Sequence, residues 1–507
     1  MSVISNFYNL FFKNFIFLPG IFLSICILIL ILYNFFSIEK FKQIYTFFFL
    51  IYSIISIVIT LFLVIVNNYF AFDNGFFIIN YKTTFIQSTI LFISLTCLIL
   101  FRRSLTKSRT NCLKYFIFYL FTVLVCLLTT LANINNLFFL FLIFEFVTIC
   151  FYILSSFIFN NFGFLVFKFV PKNKLFYSSL ILSFTGLLLI KSQVFLNIIL
   201  NRYPVHIFLL QEKDCFITIG TILISISLLL KIVLLYSPTN FIYYKKTPLI
   251  TIIFMQLVPK FFFFYYFSEL VLLNHYFICN KDCISLVTLL ISLSCLVISI
   301  GMRRLFLKHF IEYLALVNSG YLLLCFFPLN LINLIHCIYF LLFYVLIIYI
   351  YGGILLFYDD KIYPSLKVSF DTILFTFSKK KIYYNLILIL IFFFLGMPPT
   401  RKDYPSSRGI PFNGFILQLL VFQSLIYSKM YLIIFLLIIF NSILFSFAFW
   451  TIIPFWQKKK KKISFVLPRF YNSLVKEFII LYLILLVLLI VQFDSILISN
   501  YVQTFFN

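Results

Sequence analysis

Apolar runs of membrane-spanning length follow one another along almost the entire chain of 507 residues. A helix needs about 20 consecutive apolar residues to cross the hydrocarbon core of a bilayer. Hydrophobic residues make up 64% of this sequence and charged residues only 10%, whereas a soluble chain carries about 25% charged residues. Such a composition cannot cover a water-facing surface, which excludes a soluble enzyme or binding domain. The sequence therefore predicts an all-α polytopic membrane protein.

The apolar runs predict about 14 transmembrane helices, which we number as spans 1 to 14. They lie at 15–37, 44–67, 85–101, 114–131, 136–159, 175–199, 216–242, 248–273, 283–301, 309–327, 331–358, 383–427, 431–453 and 476–497. The basic residues support this count. The chain has 39 Lys and Arg against 14 Asp and Glu, a net charge of +25. Most of the basic residues lie in loops after odd-numbered spans, and the loops of the opposite face hold only Lys13, Lys82, Arg202, Lys213, Lys281 and Lys429.

Basic loops mark the inner side of a membrane, so the positive charge reports topology and does not predict nucleic-acid binding. Both termini are expected on the less basic face. Span 12 is divided by Pro398 and Pro399 and by a polar insert at 400–411. Counting it as two crossings would move the basic loop at 458–476 to the wrong face, so we predict one broken crossing.

Pro238, seven residues after Lys231, removes a backbone donor and is expected to break span 7. Two discontinuous helices five spans apart predict two inverted five-helix repeats, an arrangement found in transporters. The predicted organisation is 1–110 for spans 1 to 3, 111–275 for the first repeat, 276–455 for the second repeat with its insert, and 456–507 for a basic loop and span 14.

Three charged residues lie well inside apolar runs: Glu145, Lys231 and Lys260. A charge at a helix centre costs at least about 2.5–3.5 kcal/mol, so each needs a partner or a water-filled site. One interpretation is a buried salt bridge that fixes helix packing, or a lysine that reaches the interface. The other is proton transfer, since a lysine switches between holding and releasing a proton when its carboxylate partner moves away. A Glu and two Lys on neighbouring spans favour proton transfer.

Other polar residues are weaker candidates. Glu312 near the end of span 10 is a further candidate relay, or an interface residue. The 11 cysteines are interpreted as small core hydrophobes, and the four scattered histidines suggest no haem or metal site. Asp359 and Asp360 at the end of span 11 allow a metal-dependent, lipid-modifying enzyme as a remote alternative, but a solvated loop is the favoured interpretation.

Five stretches resemble one known family. They are FEFVTICFYIL around Glu145, LLLKIVLLYSP around Lys231, KTPLITIIFMQLVPKFFFF around Lys260, RRLFLKHFIEYLALVNSGYLLL, and LGMPPT followed by PFNGFILQLLVF. In this order, over roughly residues 136–453, the set is similar to subunit 2 of mitochondrial respiratory complex I (NADH:ubiquinone oxidoreductase), an antiporter-like subunit.

The resemblance implies that Glu145 pairs with Lys231 at the start of a proton route and that Lys260 is the central relay. It also exposes two departures. Gln418 stands where the family has a lysine, and Asn318 stands where the family has a histidine. Glutamine cannot take up a proton and can only order water. We therefore hypothesise that Arg401 or Lys402 in the insert replaces the lost lysine, or that the proton leaves through a neighbouring subunit.

The function implied is a proton-translocating membrane-arm subunit of complex I. Such a subunit holds no redox centre or metal, since the parent complex supplies NADH, FMN, iron–sulfur clusters and ubiquinone. Its partners would be other membrane-arm subunits, especially antiporter-like and small membrane subunits, and lipids such as cardiolipin. The alternatives are a stand-alone cation/proton antiporter of the same fold, and a structural subunit with a decayed second half-channel.

The residue usage adds an expected location. Phe, Tyr, Ile, Asn and Lys are favoured, with 76 Phe and 33 Tyr against 12 Gly, which is typical of an AT-rich gene. The amino-terminal residues MSVISNFYNLFFKNF resemble neither a transit peptide nor a signal peptide. We expect a chain encoded in a mitochondrial genome and inserted into the mitochondrial inner membrane.

Overall fold

The computed structural model separates the chain into two compact units. Unit 1 comprises Met1–Leu235 and Asn240–Ile284, and unit 2 comprises Tyr236–Thr239 and Ser285–Asn507. The residues that the structure describes are 17–36, 46–67, 72–73, 78–107, 112–131, 137–155, 180–189, 219–220, 223, 226–227, 253–261, 292, 317–324, 341, 344–345, 413–427 and 429–443. Nearly all of them are helical.

Five complete helices of unit 1 coincide with the first five predicted spans. They are α1 (Leu18–Phe36), α2 (Thr46–Asn67), α3 (Tyr81–Lys107), α4 (Cys112–Leu131) and α5 (Leu137–Ser155). The first four are long and apolar enough to cross a membrane. In unit 2, α6 (Asn413–Tyr427) and α7 (Tyr431–Ile443) coincide with the second half of span 12 and the start of span 13. The chain is therefore a multi-pass helical membrane protein, as its composition predicts.

Helix α3 is longer than its apolar run. It has 27 residues where span 3 was predicted to have 17, and it includes Arg102, Arg103 and Lys107, which the sequence placed in a loop. At 1.5 Å per residue it extends about 40 Å, beyond the roughly 30 Å of the hydrocarbon core. Arg and Lys are good helix formers and are favoured near a carboxyl-terminal end, so the helix continues past the membrane.

Asn80 and Thr83 fix the first turn of α3. The Asn80 amide donates to Thr83 Oγ1 at 2.9 Å, and that hydroxyl donates to the Asn80 carbonyl at 2.8 Å. The Thr84 amide also donates to the Asn80 carbonyl, at 3.1 Å, as the first bond of the helix. These bonds satisfy backbone groups that a helix end otherwise leaves unpaired, which explains why α3 begins before the apolar run.

A β-hairpin with two residues in each strand joins α2 to α3, and the sequence analysis did not predict it. Strands β1 (Phe72–Asp73) and β2 (Ile78–Ile79) are antiparallel, with Phe72 opposite Ile79. Ile79 packs with Leu131 at the end of α4 and with Phe17 before α1. The start of α1, the α2–α3 connection and the end of α4 therefore lie at one end of the bundle, as four successive crossings require.

Small polar residues of α2 are buried in unit 1, whereas several large apolar residues of α1 and α2 are exposed. Phe35 and Phe36 of α1 are 80% and 84% exposed, and Phe62 of α2 is 65% exposed. Small polar residues of α2, among them Ser53 and Ser56, are buried and donate to backbone carbonyls of their own helix. Exposed apolar side chains and buried small polar side chains are typical of helices whose outer faces contact lipid.

Hydrogen bonds from larger side chains connect α3 with α4. Tyr119 Oη on α4 donates to the Ser94 carbonyl on α3 at 2.8 Å, and Gln87 Nε2 on α3 donates to the Leu127 carbonyl on α4 at 3.4 Å. Cys26, Cys97, Cys126 and Cys150 are buried free thiols, in agreement with their interpretation as small core residues. Among the described helices of unit 1, α4 packs against α1, α2, α3 and α5.

Candidate functional site

Glu145 lies on the buried face of α5 and is 9% exposed. Val147, Cys150 and Phe151 of the same helix are also buried, while Phe146, the residue after Glu145, is 49% exposed. Thr148 donates to the Glu145 backbone carbonyl at 2.8 Å, and its Oγ1 lies 3.5 Å from the carboxylate Oε2. The carboxylate that the sequence analysis singled out is therefore buried, and its role in proton transfer stays a prediction. Thr148 is a polar neighbour that the sequence analysis missed.

Lys260 lies in a helical segment, 253–261, whose described side chains are all buried. Its exposed fraction is 3%, so the ammonium has no direct access to bulk water. Gln256 lies one turn earlier, on the same helix face, and is 1% exposed. Pro259 has no N–H and cannot donate to the carbonyl of residue 255, which places a backbone acceptor close to this turn. The Gln256 position was missed although a glutamine four residues before an intramembrane lysine was a visible signal.

Aromatic contacts dock the Lys260 segment onto α4 and α5. The ring centroid of Phe254 lies 4.6 Å from the ring centroid of Tyr119 on α4 and 5.9 Å from the ring centroid of Phe151 on α5. Glu145 precedes Phe151 by six residues, and Lys260 follows Phe254 by six residues, each about 9 Å along its helix axis. Unit 1 therefore brings Glu145 and Lys260, two of the three predicted intramembrane charges, into one helix cluster.

In unit 2, Gln418 belongs to a chain of neutral hydrogen bonds. It lies on α6 and is 8% exposed. Asn441 on α7 donates from Nδ2 to Gln418 Oε1 at 3.4 Å, and the Tyr321 hydroxyl donates to Asn441 Oδ1. Tyr321 comes from helical segment 317–324, so three segments meet at these side chains. The position where the resemblance expects a lysine is thus filled by a buried carboxamide that accepts a hydrogen bond from Asn441.

Asn318 lies one turn before Tyr321 on the same segment and is half-buried. Its Nδ2 is buried and has no hydrogen-bond partner in the part of the chain that the structure describes. We refer to Asn318, Tyr321, Gln418 and Asn441 as the amide cluster. Two of its members were predicted as site residues. Asn441 was missed, although a lone amide within the apolar run of span 13 could have identified it.

The remaining predicted site residues lie outside the described residues. They are Lys231, Glu312, Arg401, Lys402 and the helix-breaking Pro238, Pro398 and Pro399. The boundaries of the two repeats and the total of 14 spans therefore stay predictions.

The sequence matches no family model and no curated protein, but the fold is shared with chains of three membrane complexes. The first is a chain of respiratory complex I from Thermus thermophilus, in its structure with bound Aureothin. Its TM-score is 0.62 at 14% identity, and the match covers 92% of this chain and 97% of that chain. A chain of the membrane-bound sulfane sulfur reductase, an archaeal respiratory membrane complex, has a TM-score of 0.66 and 14% identity, with 96% and 99% covered.

The third likeness is to a chain of the Mrp complex from Dietzia sp. DQ12-45-1b. Its TM-score is 0.58 at 12% identity, with 86% of this chain and 78% of that chain covered. At such low identities the likeness concerns the fold. The chain is a multi-pass membrane protein with the fold that subunits of complex I, sulfane sulfur reductase and Mrp complexes share.

Proposed function

We propose that this chain is a proton-translocating membrane-arm subunit of a respiratory NADH:ubiquinone oxidoreductase in the mitochondrial inner membrane, of the type of subunit 2. The observation that carries the proposal is the joint burial of Glu145 and Lys260 in one helix cluster of a fold shared with a complex I chain. Buried intramembrane charges are expensive and mark ion or proton pathways.

The placement of the two charges supports a common route. In the predicted topology, spans 5 and 8 cross the membrane in opposite directions. Glu145 precedes Phe151, whereas Lys260 follows Phe254. Because the two spans run in opposite directions, Glu145 and Lys260 then lie on the same side of the contact between Phe151 and Phe254, each about 9 Å from it along its helix axis. Their similar depth in the membrane favours a lateral proton path.

Glu145, with Lys231, would receive the proton, and Lys260 would relay it across the unit. Thr148 places its hydroxyl oxygen 3.5 Å from the carboxylate, and Gln256 supplies a polar group on the Lys260 face. Redox chemistry belongs to other subunits of the complex, which hold NADH, FMN, iron–sulfur clusters and ubiquinone. Neighbouring antiporter-like subunits and membrane lipids are the expected partners of the apolar outer faces.

A stand-alone cation/proton antiporter is the second candidate, favoured by the likeness to the Mrp complex chain. A structural subunit with a decayed second half-channel is the third, favoured by the neutral carboxamide of Gln418 at the position where the resemblance expects a lysine.

The decisive experiment is native electrophoresis of mildly solubilised mitochondrial membranes, with in-gel NADH oxidation and quantitative mass spectrometry of the active band. The proposal predicts this chain in fixed proportion to the redox subunits. Its recovery only in a smaller assembly without NADH oxidation would reject the complex I assignment in favour of the antiporter.

A further inference from the structure

Helix α7 has two sides that differ in exposure. At about 100° per residue, its exposed side chains occupy one continuous arc of about 160° around the helix axis. They are Tyr431, Leu432, Phe435, Leu436, Ile438, Ile439 and Ser442. The buried side chains on the other side of the helix are Ile433, Leu437 and Phe440. Helix α7 therefore packs into unit 2 with one side and leaves the other side, which we call the outer face of α7, exposed.

The outer face of α7 has the chemistry of a surface that contacts lipid. Leu432 is 73% exposed and Phe435 is 64% exposed. Helices that pack on another helix inside a membrane place small residues such as Gly, Ala, Ser and Thr at the contact. Among the described residues of the outer face only Ser442 is small, and its hydroxyl donates to the Ile439 carbonyl at 2.7 Å. The face therefore offers large apolar side chains, which fluid acyl chains can surround.

A tight turn joins α6 to α7 and reverses the direction of the chain. The Lys429 amide donates to the Ile426 carbonyl at 2.9 Å, and the Met430 amide donates to the Leu425 carbonyl at 3.1 Å. Together with the positive φ of Lys429, these two bonds form a Schellman turn, which ends α6. The outer face of α7 therefore begins directly at the tip of a helical hairpin.

The tip of this hairpin carries the residues expected where a membrane meets water. Tyr427, Lys429 and Tyr431 are all exposed. Tyrosine is enriched at the headgroup level because its ring is apolar and its hydroxyl is polar. The ammonium of Lys429 complements the negative charge of a phospholipid phosphate. The polar tip and the apolar face below it thus match the two layers of one membrane leaflet.

We propose that the outer face of α7 contacts phospholipid in the assembled protein and is not an interface with a neighbouring subunit. Headgroup phosphates lie beside the hairpin tip, and acyl chains lie along Leu432, Phe435 and Ile439. Ile439 follows Tyr431 by eight residues, which places it up to about 12 Å deeper in the membrane. The proposal requires only that the chain spans a membrane, so it does not depend on the complex I assignment.

The test uses the purified native assembly in phosphatidylcholine vesicles that contain a photoreactive phospholipid with a diazirine in its acyl chain. After irradiation, lipid adducts are mapped on the peptides of α7 by mass spectrometry. We expect adducts on the outer-face residues Leu432, Phe435 and Ile439. The buried residues of the same helix are the matched controls and should carry none. They are Ile433, Leu437 and Phe440.

A second probe, with the diazirine in the headgroup, tests the depth of the hairpin tip. We expect headgroup adducts on Tyr427 and Tyr431 and a loss of these adducts at Ile439. Equal headgroup labelling of Tyr431 and Ile439 would overturn the placement of the tip at the membrane surface.

Two variants of α7 distinguish lipid from a neighbouring subunit. Phe435→Ala shortens a side chain whose space lipid can fill, so the subunit composition and the thermal midpoint of the assembly should not change. Phe440→Ala leaves a cavity on the buried side of the same helix and should lower the midpoint.

Two results would assign the outer face of α7 to a neighbouring subunit and overturn the proposal. One is the loss of a subunit, or a fall in midpoint as large as that of Phe440→Ala, in the Phe435→Ala variant. The other is an absence of acyl-chain adducts from α7 in an assembly that is labelled on its other helices. Neither result affects the complex I assignment, which is judged by the composition of the NADH-oxidising band.

Discussion

Replacing Lys260 with methionine distinguishes a proton relay from a structural charge. The side chain is 3% exposed in a segment that is buried throughout its described length, so the full cost of an intramembrane charge applies. Methionine has a similar unbranched length and fills the space of the lysine stem without a charge. The variant therefore removes the ammonium and leaves the packing of the segment largely unchanged.

The two interpretations predict stability changes of opposite sign. A relay lysine is kept for function at a cost of about 2.5–3.5 kcal/mol, so its removal leaves the assembled complex equally stable or more stable by up to that amount. If the lysine is kept for a structural ion pair, its removal leaves the partner's charge buried and uncompensated. This lowers stability by about 3–5 kcal/mol. The difference is large enough to appear in the thermal midpoint of the complex.

The assay combines that midpoint with the number of protons translocated per NADH oxidised in vesicles. We expect Lys260→Met to lower the proton yield while the thermal midpoint is unchanged or higher. Lys429→Met, at an exposed lysine outside the apolar helices, is the matched control and should change neither quantity. An unchanged proton yield in an intact complex, or a large loss of stability with a normal yield, would refute the relay role.

Three further outcomes follow from individual residues. Glu145→Gln retains an acceptor for Thr148 but no charge, so the proton yield should fall, and Glu145→Asp should recover part of it; equal yields for both would contradict the role of the carboxylate. Ser56→Leu places a large side chain at a 2% exposed position of α2. It should lower the stability of the assembled protein by about 1–3 kcal/mol in thermal unfolding. Ser24→Leu, on the exposed side of α1, is the control. Lys429 follows α6 with a φ of 59°, a left-handed conformation that glycine adopts without steric cost. Lys429→Gly should therefore raise stability by about 1 kcal/mol. A lower thermal midpoint would show that the lysine side chain stabilises the turn.

The positions of the early helices follow from the sequence because membrane insertion depends on the hydrophobicity of each run by itself. The first five spans were predicted within a few residues of α1 to α5, apart from the extension of α3 into Arg102 and Lys107. The burial of Glu145 and Lys260 also follows from the sequence, since a charge inside a long apolar run must face the protein interior.

Contacts between distant segments are decided only by the tertiary structure. The Tyr321 hydroxyl meets an amide 120 residues away, and the Lys260 segment docks on α4 and α5 through Phe254. No local pattern fixes these pairs, because lipid is as apolar as a leucine side chain and hydrophobicity cannot select which helices pack together. The sequence by itself thus determined that the chain crosses the membrane many times with charges inside. Helix packing decided which polar groups meet.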